Sequence, residues 1–311
     1  MKLRSASLRD LVRVEQIYRE AEAGFSAVPP PARLWGLFSH TFAALLPLYQ
    51  ETLIYVAEDE GRVIGFIQAT TGQPLAITLP TKITSLQVLN LCVAAGSTEL
   101  EVAAPLLEHL CEQAGQKGVT RLFVRIPLDD PLIDVFRVQG FRQYATESVL
   151  YAEAPEARST DPPPGLRPAR RPDDRLLYHL YRKVTPWGVA HLEAPTYRDW
   201  RALRSAPGQQ EVIDRVEIVG WCRVQKGSQA RPHTLWFMAL PEQGVADELA
   251  DHAIVATDAQ PAWCSLRHYD SHMIDALRGR GFSLLLTQAL LVREIAVRVP
   301  LPEKSLVPSF G

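Results

Sequence analysis

Cysteine is scarce in this chain of 311 residues. Four are present, at positions 92, 111, 222 and 264, and no two are closely spaced. That excludes a disulfide framework and a short-spaced zinc pair. Long apolar runs are missing too. The longest candidate, Leu34 to Tyr49, is interrupted by Ser39, His40, Thr41 and Pro47, and it falls short of the roughly 18 apolar residues that a membrane-spanning helix needs. It reads as an amphipathic helix. Neither sign of charge dominates: Lys and Arg number 33, Asp and Glu 35, for a net charge of -2. The basic excess of a nucleic-acid binder is absent. The opening residues, Met1 to Asp10, have no apolar core behind their charges, so no secretory signal is expected. Lysine contributes only 6 of the basic residues against 27 arginines, a bias to which we attach no function. These absences predict a reduced, cytoplasmic protein with no membrane or nucleic-acid partner.

Apolar residues make up 47% of the chain and charged residues 22%, enough to build an ordinary packed core. At roughly 150 residues per domain, the length predicts two domains. Proline is unusually common, 24 against 18 glycines. Six of these prolines and one glycine are concentrated in Ala154 to Pro172, a stretch without apolar periodicity that reads as a linker, semi-rigid where prolines adjoin.

The sequence restarts beyond that linker. Leu3-Arg4-Ser5-Ala6 is echoed by Leu166-Arg167-Pro168-Ala169, and Tyr18-Arg19 by Tyr181-Arg182, both at an offset of 163. Val63-Ile64-Gly65-Phe66 resembles Ile218-Val219-Gly220-Trp221. Ile133-Asp134 through Gly140-Phe141 resembles Ile274-Asp275 through Gly281-Phe282, at an offset of 141. The order of matches is kept while the offset falls, as expected of a duplicated domain with shortened loops. The expected organisation is a first domain over 1–153, a Pro-rich linker over 154–165 and a second domain over 166–311. Residues 1–160 carry 14 basic and 18 acidic groups and residues 161–311 carry 19 and 17, so the two parts bear opposite net charge, which helps them pack together.

In the first copy the pattern predicts a strand over Lys2 to Ser5, then a helix capped by Ser7 and Asp10 with apolar Leu11, Val14, Ile17 and Tyr18 behind. After Pro29-Pro30-Pro31 a second helix is predicted over Leu34 to Leu46. Leu53 to Glu58 and Val63 to Thr70 form a hairpin around Asp59-Glu60-Gly61-Arg62, and Ser85 to Val93 a further strand. Glu99 to Gln116 is a helix, Val119 to Ile126 a strand, Leu132 to Gln139 a short helix and Phe141 to Ala152 the last strand. The order βααβββαβαβ predicts an α/β protein of the α+β type, each copy a mixed, mostly antiparallel sheet flanked by helices.

That order, with the opening Leu3-Arg4-x-Ala6-x-x-x-Asp10 and the closing Gly140-Phe141, resembles the GNAT superfamily of acyl-CoA-dependent N-acyltransferases, in its tandem form. The resemblance implies that acetyl-CoA or another acyl-CoA is the cofactor, with no metal, and that the acceptor is a small-molecule amine or a peptide. It implies that the fourth strand splays from the fifth and holds the pantetheine arm on free backbone groups, here those of Leu91 and Val93. It further implies that the pyrophosphate lies on a helix N-terminus behind a Gln/Arg-x-x-Gly-x-Gly/Ala loop. In register with Leu106-Leu107 that loop is Thr98-Glu99-Leu100-Glu101-Val102-Ala103, so Thr98 and Ala103 take its first and last positions and Glu101 its central glycine. In the second copy Gly244 to Leu249 is the comparable stretch, with Asp247 and Glu248 where small residues are wanted. Carboxylates there satisfy the helix dipole themselves and repel phosphate.

The family's general acid, a Tyr four residues before the closing Gly-Phe, is Phe136 in the first copy and Leu277 in the second, and neither carries a proton to donate. No carboxylate occurs on Ser85 to Val93 or on Thr234 to Ala239, where many members have a base. The catalytic residues are therefore unknown from the sequence.

Other residue groups have two readings each. Cys264, His268 and His272 are spaced by four, as metal ligands on one helix face would be, but the repeat puts Cys264 on a strand and favours a buried thiol with two loop histidines. Asp129 and Asp270, followed by Asp134 and Asp275, read as helix caps or as catalytic carboxylates, with capping favoured. Trp187, in Pro186-Trp187-Gly188 ahead of His191 and Glu193, lines an acceptor site or closes the interface between the copies. Cys92 has no cationic neighbour in sequence to activate it and reads as core. Two functions follow. One is N-acyl transfer from acyl-CoA to an amine by direct attack. The other is a catalytically degenerate protein of the same fold, acting as a ligand sensor or partner-binding scaffold.

Overall fold

The computed structural model describes residues 1–23, 52–71, 85–203, 208–227, 232–241 and 244–296. The helix expected over Leu34 to Leu46, with the Pro29-Pro30-Pro31 break before it, lies outside these. The first half contains β1 (Lys2–Ser5), α1 (Leu11–Ala23), β2 (Thr52–Asp59), β3 (Arg62–Thr70), β4 (Ser85–Val93), α2 (Glu99–Gln116), β5 (Arg121–Pro127), α3 (Ile133–Val138) and β6 (Arg142–Ala152). The second contains β7 (Leu166–Pro168), α4 (Asp174–Val184), α5 (Trp187–Glu193), α6 (Tyr197–Leu203), β8 (Gln209–Asp214), β9 (Ile218–Gln225), β10 (His233–Ala239), α7 (Val245–Val255), β11 (Ala262–Arg267), α8 (Ser271–Arg278) and β12 (Ser283–Glu294). The result is a mixed α/β protein with a mostly antiparallel sheet flanked by helices. Among the described residues no helix is long and apolar enough to cross a membrane.

The twelve strands among the described residues join one sheet in the order β1-β2-β3-β4-β5-β12-β6-β11-β10-β9-β8-β7. Exchanging each label with the one six higher or lower and reading backwards returns the same order, so the halves are related by an approximate twofold axis. The axis passes between β12 and β6. Each half's last strand has crossed over: β12 pairs with β5, Ala289 opposite Ile126, and β6 pairs with β11, Leu150 opposite Cys264. The sheet is continuous across this seam, and neither half completes its sheet alone.

The two entrances to the fold are built alike. Arg4 donates to both carboxylate oxygens of Asp10, at 2.7 and 2.9 Å, and reaches Glu58 on β2. Arg167 does the same with Asp173, again at 2.7 and 2.9 Å, and reaches Asp214 on β8. Asp10 also accepts from the backbone N–H and hydroxyl of Ser7, as the sequence pattern predicts for this cap. The hydrogen bonds of Arg4 hold the Asp10 carboxyl well below the usual range, and Arg167 does so for Asp173.

Two helices seat against glycines. A side chain at Gly65 would meet Val102 at 2.7 Å and one at Gly220 would meet Val245 at 2.8 Å, and Leu106 and Leu249 lie close behind. These contacts bring α2 onto β3 and α7 onto β9, and they give the two large apolar cores around Leu106–Leu110 and Leu249–Ile254. The expected linker is tied to the second half, where the Arg158 backbone N–H donates to Asp251 and its guanidinium to the carbonyl of Gly279.

Candidate functional site

The site begins with a break in the parallel pairing of β4 and β5. Ser85 to Val88 pair with Arg121 to Val124, and beyond Val88 the strands part. A bulge sits at the same place: Gln68 pairs with Asn90 and Ala69 with Val88, which leaves Leu89 as the extra residue. The bulge reverses which side chains face which side. Val88 packs under α2, whereas Asn90 and Cys92 turn toward α1.

The parting opens a cleft of about 380 Å³. One side is formed by Tyr18, Glu20 and Ala21 of α1, with Asn90 and Arg125. The other is formed by Val124, Ile126, Leu132 and Phe136, with Glu99 at the start of α2. The cleft therefore passes between the strands and is lined from both faces of the sheet. Ala94 donates to the carbonyl of Ile64, so Ala94, Cys92 and Asn90 turn their backbone groups toward β3. By the alternation of an antiparallel ladder, the N–H and C=O groups of Leu91 and Val93 face the departed β5.

The residues singled out from the sequence fall in different places. Leu91 and Val93 line the cleft. Thr98 is the N-cap residue of α2, and Ala103 is wholly buried on that helix. Trp187, the first residue of α5, is 70% exposed and stacks on His191 with centroids 5.2 Å apart. Other residues of α5 hold the seam: Val189 packs on Ala145 and Leu290, and Glu193 accepts from Tyr144 at 2.7 Å and from Arg267 at 2.8 Å. Cys92 is a cleft residue and not core alone. Cys264 is buried on β11 and His268 is exposed. His272, on α8, donates to the carbonyl of Ala239 at 3.1 Å. Among the described residues no group of His, Cys, Asp and Glu is placed to hold a metal ion.

The aspartates also separate. Asp129 is exposed, and its neighbour Asp130 accepts from the backbone of Leu132 at the start of α3. Asp270 sits at the N-cap of α8 without a side-chain capping bond, and burial pushes its carboxyl up to about 7. No local pattern marks Arg125 or Glu147. Glu147 is 4% exposed on β6 and faces Arg125, Arg267 and Gln288. Burial works to raise its carboxyl, but the two arginine charges and the hydrogen bonds outweigh it and hold it low. These contacts join residues far apart in sequence, so no local spacing predicts them.

The glycine contacts correct one expectation. Leu249 lies over Gly220 as Leu106 lies over Gly65, so the second-half loop is matched three residues away from where the sequence alone put it. Gly244 then stands opposite Glu101, and Ala246 opposite Ala103. Gly244-Val245-Ala246 keeps the Gly-x-Ala end of the loop motif, with Gly244 at φ 70°. Asp247 and Glu248 fall inside the helix and are held by Arg280 and Arg215.

The second half nonetheless differs at the strands. β9 and β10 pair from Thr234 to Ala239 with no bulge. Trp236, in the place of Asn90, packs among Tyr178, Tyr181, Trp200 and Trp221. The Ala239 carbonyl, in the place of that of Val93, is taken by His272. The first half keeps the open strands and the second keeps the glycine.

Residues 14–141 match the model of the acetyltransferase (GNAT) family. No curated protein matches the chain. Solved structures are similar in fold at low identity. A GCN5-related N-acetyltransferase from Sphaerobacter thermophilus is 14% identical over 96% of this chain and 97% of its own, with a TM-score of 0.59. A tandem GNAT protein from the clavulanic acid biosynthesis pathway is 15% identical over 96% and 99%, with a TM-score of 0.56. A GCN5-related N-acetyltransferase from Anabaena variabilis is 12% identical over 95% and 73%, with a TM-score of 0.52. This chain thus has the GNAT fold, and the match to the acetyltransferase family model falls on its residues 14–141.

Proposed function

We propose that the chain is an N-acyltransferase and that the cleft between β4 and β5 is its reaction site. The cleft passing between the parted strands is the observation that carries this reading. Acyl-CoA enters from the face of α2 and α3 and lays its pantetheine along Leu91 and Val93. The amine acceptor, a small molecule or a peptide, enters from the face of α1. The amine nitrogen attacks the thioester carbonyl carbon, the C–N bond forms and the C–S bond breaks. The proton lost by nitrogen ends on the departing thiolate, carried by water. Backbone N–H groups at Leu91 and Val93 and the alignment of the two reactants supply the rate enhancement. Thr98 and Ala103 mark the helix start that receives the pyrophosphate. Trp187 is held as part of the acceptor approach from the seam. The two halves act as duplicated domains, the second supporting the first. A reduced, cytoplasmic setting goes with the reading, because no disulfide joins any of the four cysteines.

A second reading is favoured by Glu99, Glu101 and Phe136. An acidic helix start weakens phosphate binding, and a phenyl ring replaces the proton donor, so the same cleft suits a sensor that binds a ligand without turning it over.

Thermal denaturation with CoA and acetyl-CoA tests the first reading. A ligand at 100 times its Kd stabilises by about 2.7 kcal/mol. We expect a shift at millimolar CoA, larger for Glu101→Gly, and release of thiol from acetyl-CoA when amines are supplied. No shift at millimolar CoA rejects the acyltransferase. A shift without thiol release supports the sensor.

A further inference from the structure

Asn90 lines the cleft and is 7% exposed, and its Nδ2 donates to Oε1 of Gln68 at 2.7 Å. Gln68 is wholly buried on β3, and its Nε2 meets no hydrogen-bond partner among the described residues. An unpaired buried donor costs about 1–3 kcal/mol, so an amide pair is an expensive way to fill this space. The second half fills the same space differently: Arg223 lies 3.8 Å over Trp236, with no bulge and an aromatic cluster around it. Of these two corresponding places, the amide pair stands at the one where the strands part into a cleft.

The direction of the hydrogen bond decides what Asn90 offers. One of the two N–H hydrogens of its amide is spent on Gln68, which fixes the amide plane and leaves its carbonyl oxygen, Oδ1, as the acceptor it offers to the cleft. Residue 90 adjoins Leu91, whose backbone faces the thioester in the proposed reaction, and it lies on the side of α1, from which the amine comes.

Building on the proposed acyltransferase reading, we infer that Asn90 Oδ1 accepts a hydrogen bond from the attacking amine and aims its lone pair at the thioester, and that Gln68 is a positioning residue that fixes the Asn90 amide in that sense. The acceptor is then a primary amine with two N–H hydrogens at the moment of attack: one goes to Asn90, and the other is lost after the C–N bond forms. The bulge at Leu89 is the device that turns residue 90 into the cleft. An amide neither takes up nor gives a proton here, so Asn90 orients without acting as a base.

The test uses the full chain, acetyl-CoA and a panel of primary amines comprising an aminosugar, an amino alcohol and a lysine peptide. Thiol release and the thermal shift with CoA are read together. Asn90→Leu and Gln68→Leu are expected to lower transfer at least 10-fold while keeping the wild-type CoA shift. The double variant Asn90→Leu/Gln68→Leu removes every orphaned amide group and is expected to be as stable as wild type while remaining slow. Asn90→Asp offers an oxygen that can also take the proton. It is expected to keep transfer, with the acidic limb of its pH profile moved to lower pH. Wild-type rates in Asn90→Leu overturn the inference, as does loss of the CoA shift in the folded double variant. If wild type shifts with CoA but releases no thiol with any amine, the inference falls and CoA binding stands. If wild type shows no CoA shift, the acyltransferase reading falls as well.

Discussion

Arg223 lies 3.8 Å over the ring of Trp236, at the place in the second half where Asn90 and Gln68 share a hydrogen bond in the first. The two pairs solve one packing problem in opposite ways. In the first half an amide pair and a bulge leave a cleft. In the second an aromatic ring joins a cluster with Tyr178, Tyr181 and Trp200. Trp236→Ala is expected to destabilise the protein by roughly 2–4 kcal/mol through lost packing, measured by chemical denaturation, and to leave the CoA shift unaltered. Loss of the CoA shift in the folded variant would place the binding site in the second half.

Glu147 couples the halves electrostatically. It lies buried on β6 between Arg125 of the cleft and Arg267 of β11. Removing Glu147 leaves Arg267 to Glu193 alone and the partly exposed Arg125 to solvent, at a cost of about 1–3 kcal/mol. Glu147→Ala should lower stability by that amount in urea titrations, and Glu147→Gln by less because it keeps the bond with Gln288. An unchanged unfolding midpoint in Glu147→Ala would show that the arginines are solvated in another way.

Asp270 gives stability a pH dependence. Burial raises its folded-state pKa to about 7, well above the ordinary value of 3.8. The folded protein therefore holds a proton that the unfolded chain releases, and this contribution is present below about 4 and lost as pH rises through 7. Asp10 and Asp173 act oppositely, since their lowered values add stability above the ordinary carboxylate range that disappears on acidification. Asp270→Asn should thus gain thermal stability relative to wild type between pH 5 and pH 8. A constant difference across that window would mean that Asp270 titrates normally.

The exchanged strands predict that the halves are inseparable. Residues 1–153 made alone lack β12 and expose the edge of β5, and residues 154–311 lack β6 and expose the edge of β11. Each is expected to aggregate alone, and co-expression is expected to recover a 1:1 complex by size-exclusion chromatography. A soluble monomeric half would show that the sheet can close without exchange.

Local elements were legible because their causes are local. Ser85 to Val93 and Glu99 to Gln116 follow from side-chain alternation, helix periodicity and Gly118, and the structure has them at those bounds. The cap at Ser7 and Asp10 follows from spacing within a single turn. Register between the copies was less legible. Without the contacts of Gly65 with Val102 and of Gly220 with Val245, nothing in the sequence shows where a shortened loop has lost its three residues.

The sequence by itself determined the duplication pattern, the alternation of strands and helices and the kinship of the fold, because apolar periodicity, glycine and proline placement and capping act over a few residues. Only the tertiary structure decided which strands are neighbours, and so placed β12 against β5 and β6 against β11. It alone opened one cleft and filled the other, because the bulge at Leu89, the ring of Trp236 and the buried charges around Glu147 take their meaning from partners more than a hundred residues away or across a strand pair. Pairing energies depend on that three-dimensional company, and a linear sequence does not state it.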